Sequence, residues 1–437
     1  MFRGLPQYAA YQLRSDLSLP RLPSSWQWRR LASVGRKVST SGRPEMPLLS
    51  VYLDQGVIPY SEGGRRVHAP SERLDSYQVV RPGDLVLNNQ QAWRGSVGVS
   101  ALHGIISPAY VIWRNSSVIS APYGRYLFRA PVMVDQYVAA SRGVGGIQRD
   151  LHGPSLRNLQ VPIPPLDDQI AIARYLTYTN ARMGKAIAAK TRLIALLEEQ
   201  AREIVNRVVT KGLDRNVSFV DSGVPWIGLL PEHWSLVPAR SIFKPVSRAV
   251  TDSALPQLSL TRSAGLVPSG ASGSGTIAAE NSDNLQQCNR GDFVLNKYRA
   301  HMGLFRWCRT PGTVTRNYTV LKPNSRVYHD YFESLFLDPV FAEGLRINAR
   351  GVGDVMSPLY TSTLMSMKMP LPPIEEQQAI VRLINADTAR LNQQIALTSR
   401  EIQLLQEFRT RLVADAVTGQ IDVRAIAASL PRSEEHT

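Results

Sequence analysis

Cysteine is nearly missing from this chain, with only Cys288 and Cys308 among 437 residues. Two thiols make no disulfide framework. Neither belongs to a Cys-x-x-Cys pair, which excludes a zinc ribbon. Both read as small core residues rather than reactive thiols. Long hydrophobic runs are missing too: no stretch of 18 apolar residues occurs, and the opening MFRGLPQYAAYQLR lacks the apolar segment of a signal peptide. The expected setting is a reducing cytoplasm, with no membrane partner. Acidic side chains are in short supply, 35 Asp and Glu against 50 Lys and Arg, for a formal net charge of +15. Such an excess points to a polyanion, nucleic acid before membrane, although a basic enzyme of ordinary kind also satisfies the charge alone.

What is present is a folded protein's composition, 43% apolar and 19% charged, in a chain too long for one hydrophobic core. The chain also repeats itself. VPIPPLDDQIAI at 161–172 returns as MPLPPIEEQQAI at 369–380, a shift of 208. At that same shift LPSSW, ending at Trp26, matches LPEHW, ending at Trp234, and GDLVLN at 83–88 matches GDFVLN at 291–296. Tyr110 matches Tyr318, Arg142-Gly-Val-Gly matches Arg350-Gly-Val-Gly, and VTKGLD at 209–214 matches VTGQID at 417–422. Only SVYLDQGVIP at 50–59 and SLTRSAGLVP at 259–268 slip by one residue. The chain is a tandem duplication of a unit of about two hundred residues, far longer than a solenoid repeat, so each copy is expected to form its own domain.

Texture changes inside each copy at the Pro-Pro phrase. Residues 1–165 and 217–373 carry short Val/Ile/Leu/Tyr runs between Gly, Pro and Ser, which read as short strands with long loops. Residues 166–212 and 374–418 hold no proline and are rich in helix formers. Pro164-Pro165 and Pro372-Pro373 suit a helix start, and Asp167-Asp168 and Glu375-Glu376 then face the positive end of the helix dipole. An acid–base pair is the competing reading, but adjacent helical side chains point about 100° apart and do not share a site.

A narrow 3–4 spacing runs through Met183, Ile187, Lys190, Ile194, Leu197, Ala201, Ile204 and Val208. In the second copy it runs through Leu391, Ile395, Thr398, Ile402, Leu405, Arg409, Leu412 and Ala416. Two equivalent seams predict two helices packed on each other as an antiparallel coiled coil. At 1.5 Å per residue, about 30 residues span roughly 45–50 Å, a little more than one DNA turn of about 34 Å. The expected class is α+β, with boundaries at 1–165, 166–216, 217–373, 374–424 and a tail at 425–437.

The doubled P-x-P-P-[LI]-[DE]-[DE]-Q phrase, the long helix after it, the VT[KG]-x-[LI]-D ending and the Pro and Trp opening each copy resemble the specificity subunits of type I restriction–modification systems over roughly residues 20–424. The resemblance implies two target-recognition domains, each reading one half of a bipartite DNA target. It implies helices that set the spacer and dock two adenine-N6 methyltransferase subunits, with restriction/translocase subunits joining afterwards. It implies no catalysis and no cofactor in this chain, with S-adenosylmethionine, ATP and Mg on the partner subunits. In keeping with that, no Asn/Asp-Pro-Pro-Tyr/Phe motif, phosphate-binding Gly-x-x-x-x-Gly-Lys-Ser/Thr loop or His-Glu-x-x-His spacing occurs. A fused DNA-modifying enzyme and a basic structural coiled coil are the alternatives.

Reading bases takes Arg or Lys for guanine and Asn or Gln for adenine. After GD-[LF]-VLN the first copy offers Asn89, Gln90, Gln91, Trp93 and Arg94, and the second Lys297, Tyr298, Arg299 and His301. The frame around them is held while they differ, as two heads with different targets require; divergence of a plain surface loop is the other reading. Asn88 and Asn296 are the same in both copies and read as scaffold. Arg142 and Arg350 sit in glycine loops suited either to a phosphate or to a tight turn. Arg65, Arg66 and Arg262 lie in polar loops, as phosphate or base contacts or as surface charge. Trp26 and Trp234 read as core aromatics.

Overall fold

The computed structural model describes residues 5–12, 20–53, 55–63, 70–71, 73–143, 149–214, 216–261, 264–269, 284–349 and 358–431; Arg65, Arg66, Arg262 and Arg350 lie outside them. The chain forms two compact units that are not simple halves: Met1–Lys190 with Arg400–Thr437, and Thr191–Ser399.

The first unit is built on a four-stranded antiparallel sheet of β1 (Gly35–Val38), β2 (Asp84–Asn88), β3 (Val97–Val99) and β4 (Tyr110–Asn115), in the order β1-β4-β2-β3. The second has β5 (Phe243–Val246), β6 (Phe293–Asn296), β7 (Phe305–Trp307) and β8 (Tyr318–Pro323), in the order β5-β8-β6-β7. The register is also shared, since Tyr110 pairs with Asn88 and Tyr318 with Asn296. The unbroken apolar run of GD-[LF]-VLN follows from burial on both faces. Leu85 and Leu87 enter the core that includes the long helices, while Val86 enters a second cluster with Leu49 and Val51. Phe293 and Leu295 divide from Val294 in the same way. Cys288 and Cys308 are fully buried in that last cluster, their sulfurs 3.6 Å apart.

The aspartate of the same motif is buried in both units. Asp84 accepts the Arg81 amide at 2.9 Å and two hydrogen bonds from Arg114. Asp292 accepts the Asn289 amide at 2.7 Å and is bound by Arg248. The carboxylate keeps its place while its arginine comes from β4 in the first unit and from just after β5 in the second.

The long helices are α1 (Leu166–Lys211) and α2 (Ile374–Val417). In the first unit Ile172, Leu176 and Met183 of α1 share a core with Leu412, Ala416 and Val417 of α2, so the start of one lies against the end of the other. In the second unit Val208 and Val209 of α1 share a core with Ile380, Val381 and Ile384 of α2, again antiparallel. Ile187, Ile194, Leu197 and Ile204 are half-buried on α1, as are Leu391, Ile395, Ile402 and Leu405 on α2, and Leu412 is fully buried. Arg409 departs from the expected seam: it is exposed, and Phe408 takes the half-buried position. Steps of three and then four residues, 405 to 408 to 412, keep an α-helical stripe on one face; 409 falls beside it.

Candidate nucleic-acid interface

Each head is fastened to the long helices by side chains that recur at the repeat shift. Pairing of Gln27–Arg30 with Gln160–Ile163, and of Ser235–Pro238 with Lys368–Leu371, brings the tryptophan phrase to the Pro-Pro phrase. The Trp26 indole then donates to Asp168 at 3.0 Å and the Trp234 indole to Glu376 at 3.1 Å. One carboxylate of each acidic pair is therefore a partner for a core tryptophan as well as a helix-start residue. Gln169 and Gln377, both buried, do more. Gln169 accepts the Ser120 amide and donates to the carbonyls of Val118 and Pro164. Gln377 makes the same three bonds 208 residues on, to Tyr328, Arg326 and Pro372. The Tyr123 hydroxyl lies 3.1 Å from the carbonyl of Val417, in the last turn of α2, and the Tyr331 hydroxyl 3.0 Å from that of Val209, in the last turn of α1. Burial holds both phenols well above their usual range, so they stay donors.

On this frame both units carry the same turn. Asn88 and Asn296 each accept the amide two residues on, from Gln90 at 3.1 Å and Tyr298 at 3.0 Å, which is the side-chain turn that asparagine favours. A short 3₁₀ turn follows, Ala92–Arg94 or Ala300–Met302. Gly95 (φ 91°) and Gly303 (φ 73°) close it in the left-handed region, where a side chain is disfavoured. Ala92 and Ala300 are buried beneath it. What the sequence holds constant is the turn itself.

The variable side chains sit at the tip. Gln90 and Arg94 are exposed, and the Gln90 side chain makes no hydrogen bond among the described residues. Asn89 donates to Asp150 at 3.1 Å, so its amide is already engaged. Gln91 is half-buried. The Trp93 indole donates to the Gln90 carbonyl, and the guanidinium groups of Arg94 and Arg149 lie 5.5 and 5.2 Å from its ring centre. Arg142, exposed, is paired in register with Asp150, the residue that Asn89 bonds. In the second unit Tyr298 and Arg299 are exposed, while Lys297 donates to the Arg316 carbonyl at 3.1 Å. His301 lies in the 300–302 turn, two residues after Arg299; its side chain is not described.

A cleft of about 600 Å³ beside Asn89 brings in cations that the sequence reading did not single out: Arg36, Lys37 and Arg157, with Trp113 as an apolar wall. Their only sequence signal was a basic pair in a short strand. Among the described residues no three His, Cys, Asp or Glu side chains cluster to hold a metal, and no helix is long and apolar enough to cross a membrane.

The family described as "Type I restriction modification DNA specificity domain" matches residues 254–404. Two relatives from Methanocaldococcus jannaschii are similar over most of the chain. The putative type I restriction enzyme MjaX specificity subunit is 24% identical over 81% of each chain. The MjaVIII specificity subunit is 20% identical over 92% of this chain and 95% of its own. Among solved structures, a chain from work on complex assembly and conformational transition of the type I R-M system superposes with a TM-score of 0.67 at 15% identity, covering 92% of this chain and 99% of that one. The HsdS subunit from Thermoanaerobacter tengcongensis gives 0.51 at 18% identity, covering 92% and 98%. With a doubled head, a doubled helix and the same fold, the chain is similar over most of its length to the specificity subunits of type I restriction–modification systems.

Proposed function

We propose that each unit reads one half of a bipartite DNA target through the turn after β2 or β6, and that the chain itself carries out no chemistry. One observation carries this reading: an identical turn, held by the same asparagine, alanine and glycine, presents different side chains in the two units. Gln90 has the paired donor and acceptor that adenine's major-groove edge requires, and Arg94 and Arg299 have the fork that suits guanine. Arg36, Lys37, Arg142 and Arg157 supply phosphate contacts around the first tip. Arg65, Arg66, Arg262, His301 and Arg350 remain candidates from the sequence.

In this proposal α1 and α2, each contributing residues to both units, set the number of base pairs between the half-targets. They also dock two adenine-N6 methyltransferase subunits, with restriction/translocase subunits joining the assembly. S-adenosylmethionine, ATP and Mg act on those partners. Methylome sequencing of cells carrying the complete system tests the reading. Replacing residues 89–94 by 297–302 is expected to alter the first methylated half-target and leave the second and the spacer as they were. An unchanged first half-target would refute the assignment.

A further inference from the structure

The first unit has another cationic cleft, of about 340 Å³, which shares Arg94 and Gly95 with the reading turn and whose other cations have no base-reading role. Arg94, Arg125, Arg129 and Arg409 line it, together with Tyr126 and Thr410, and among the described residues no carboxylate does. The four arginines come from different places: the reading turn, the helix Ala121–Leu127, the residues just after that helix, and α2. Arg94, Arg125 and Arg409 are exposed, and none of the three forms an ion pair among the described residues. The Arg129 guanidinium is anchored at the cleft by donation to the Leu53 carbonyl at 2.7 Å.

Bringing the like charges of Arg94, Arg125 and Arg409 together is unfavourable until an anion joins them. The second unit makes the cluster informative. At the repeat shift Arg94, Arg125 and Arg129 correspond to Met302, Glu333 and Leu337, and Arg409 corresponds to Ala201. Side chains that build the frame, such as Trp26, Gln169, Tyr123 and Asn88, recur in both copies; these four cations do not. They are therefore not part of the frame that the two units share. Guanidinium forks match phosphate oxygens two at a time, and Arg94 makes the cleft continuous with the turn that carries Gln90.

We propose that this cleft takes backbone phosphates of the DNA flanking the first half-target, so that the duplex is gripped by α2 through Arg409 as well as by the head. The second unit has no counterpart to this grip. The proposal rests on the DNA-reading function given above. Acidic side chains of a partner subunit offer similar chemistry, but continuity with the reading turn favours DNA.

The test uses the assembled methyltransferase–specificity complex, with target and scrambled duplexes titrated over a series of salt concentrations. For Arg125→Gln/Arg409→Gln, the slope of log K against log salt is expected to become shallower by about 1–2, close to one per lost phosphate. Affinity should fall by the same factor on both duplexes, leaving preference and methylated sequence unchanged. Arg125→Lys/Arg409→Lys, which keeps the charge, should retain most of the slope and guards against a folding artefact. An unchanged slope in a glutamine variant that assembles normally overturns the proposal. So does loss of methyltransferase binding with DNA contacts intact, which assigns the cleft to a protein surface. A wild-type complex without sequence preference would instead remove the underlying DNA-reading function, before any variant is compared.

Discussion

The two units agree where a side chain fastens the head and disagree where it faces outward. Trp26 and Trp234, Gln169 and Gln377, Tyr123 and Tyr331, and Asn88 and Asn296 occupy the same bonds 208 residues apart. Gln90 stands opposite Tyr298, Arg94 opposite Met302, and Arg125 opposite Glu333. Between these sets lie the paired aspartates, Asp84 and Asp292, which keep a buried carboxylate but take arginine from different places. The difference separates two jobs that most binding proteins combine in one surface. Geometry is held by buried hydrogen bonds, and in the proposed reading identity is written on the exposed side chains of the tip.

Breaking the shared frame should have the largest effect. Gln169→Ala or Gln377→Ala leaves one buried amide and two carbonyls without partners, a loss of about 3 kcal/mol for the unit concerned. Hydrogen exchange at the Ser120 or Tyr328 amide should accelerate accordingly. If one unit tolerates the change and the other does not, the frame is not truly common to both. Gln90→Ala should act on identity alone, relaxing discrimination at one base pair of the first half-target by about 1–3 kcal/mol. Methylation profiling would report it, and a change in the second half-target would break the assignment of tips to halves. The smallest effect belongs to Tyr123→Phe and Tyr331→Phe, each removing a hydrogen bond worth about 1 kcal/mol, to be compared by denaturant unfolding.

The same tyrosines give a pH test. Their folded phenols titrate well above the unfolded value of about 10, so their contribution is full below that pH and is lost progressively as pH rises from there through the folded value. Each phenylalanine variant should therefore lose less stability than the parent between neutral and strongly alkaline solution.

Much of this frame was legible because duplication makes a sequence its own comparison. Helix starts, the GD-[LF]-VLN strands and the scaffold role of Asn88 and Asn296 all follow from recurrence at one shift. The work of Gln169 and Gln377 was not legible, since their partners are backbone atoms of loops some fifty residues upstream, whose identity leaves no trace in the partner's side chain. Arg409 was read into the seam because the shift placed it opposite Ala201, whereas helical geometry passes the stripe through Phe408 and frees Arg409 for the cleft. Arg125 and Arg129 gave no signal, because a cleft drawn from separate segments has no spacing of its own.

The hydroxyl of Tyr123 at the last turn of α2 has a consequence for the order in which a ribosome delivers this protein. The first unit is synthesised first, yet its core lacks Leu412, Ala416 and Val417 until all of the second unit has been made. The second unit is one continuous stretch, Thr191–Ser399, and its core cluster draws only on residues within it. At about 5–20 residues per second the first head waits about 10–40 s for its closing helix. The head that begins the chain is the last to be finished.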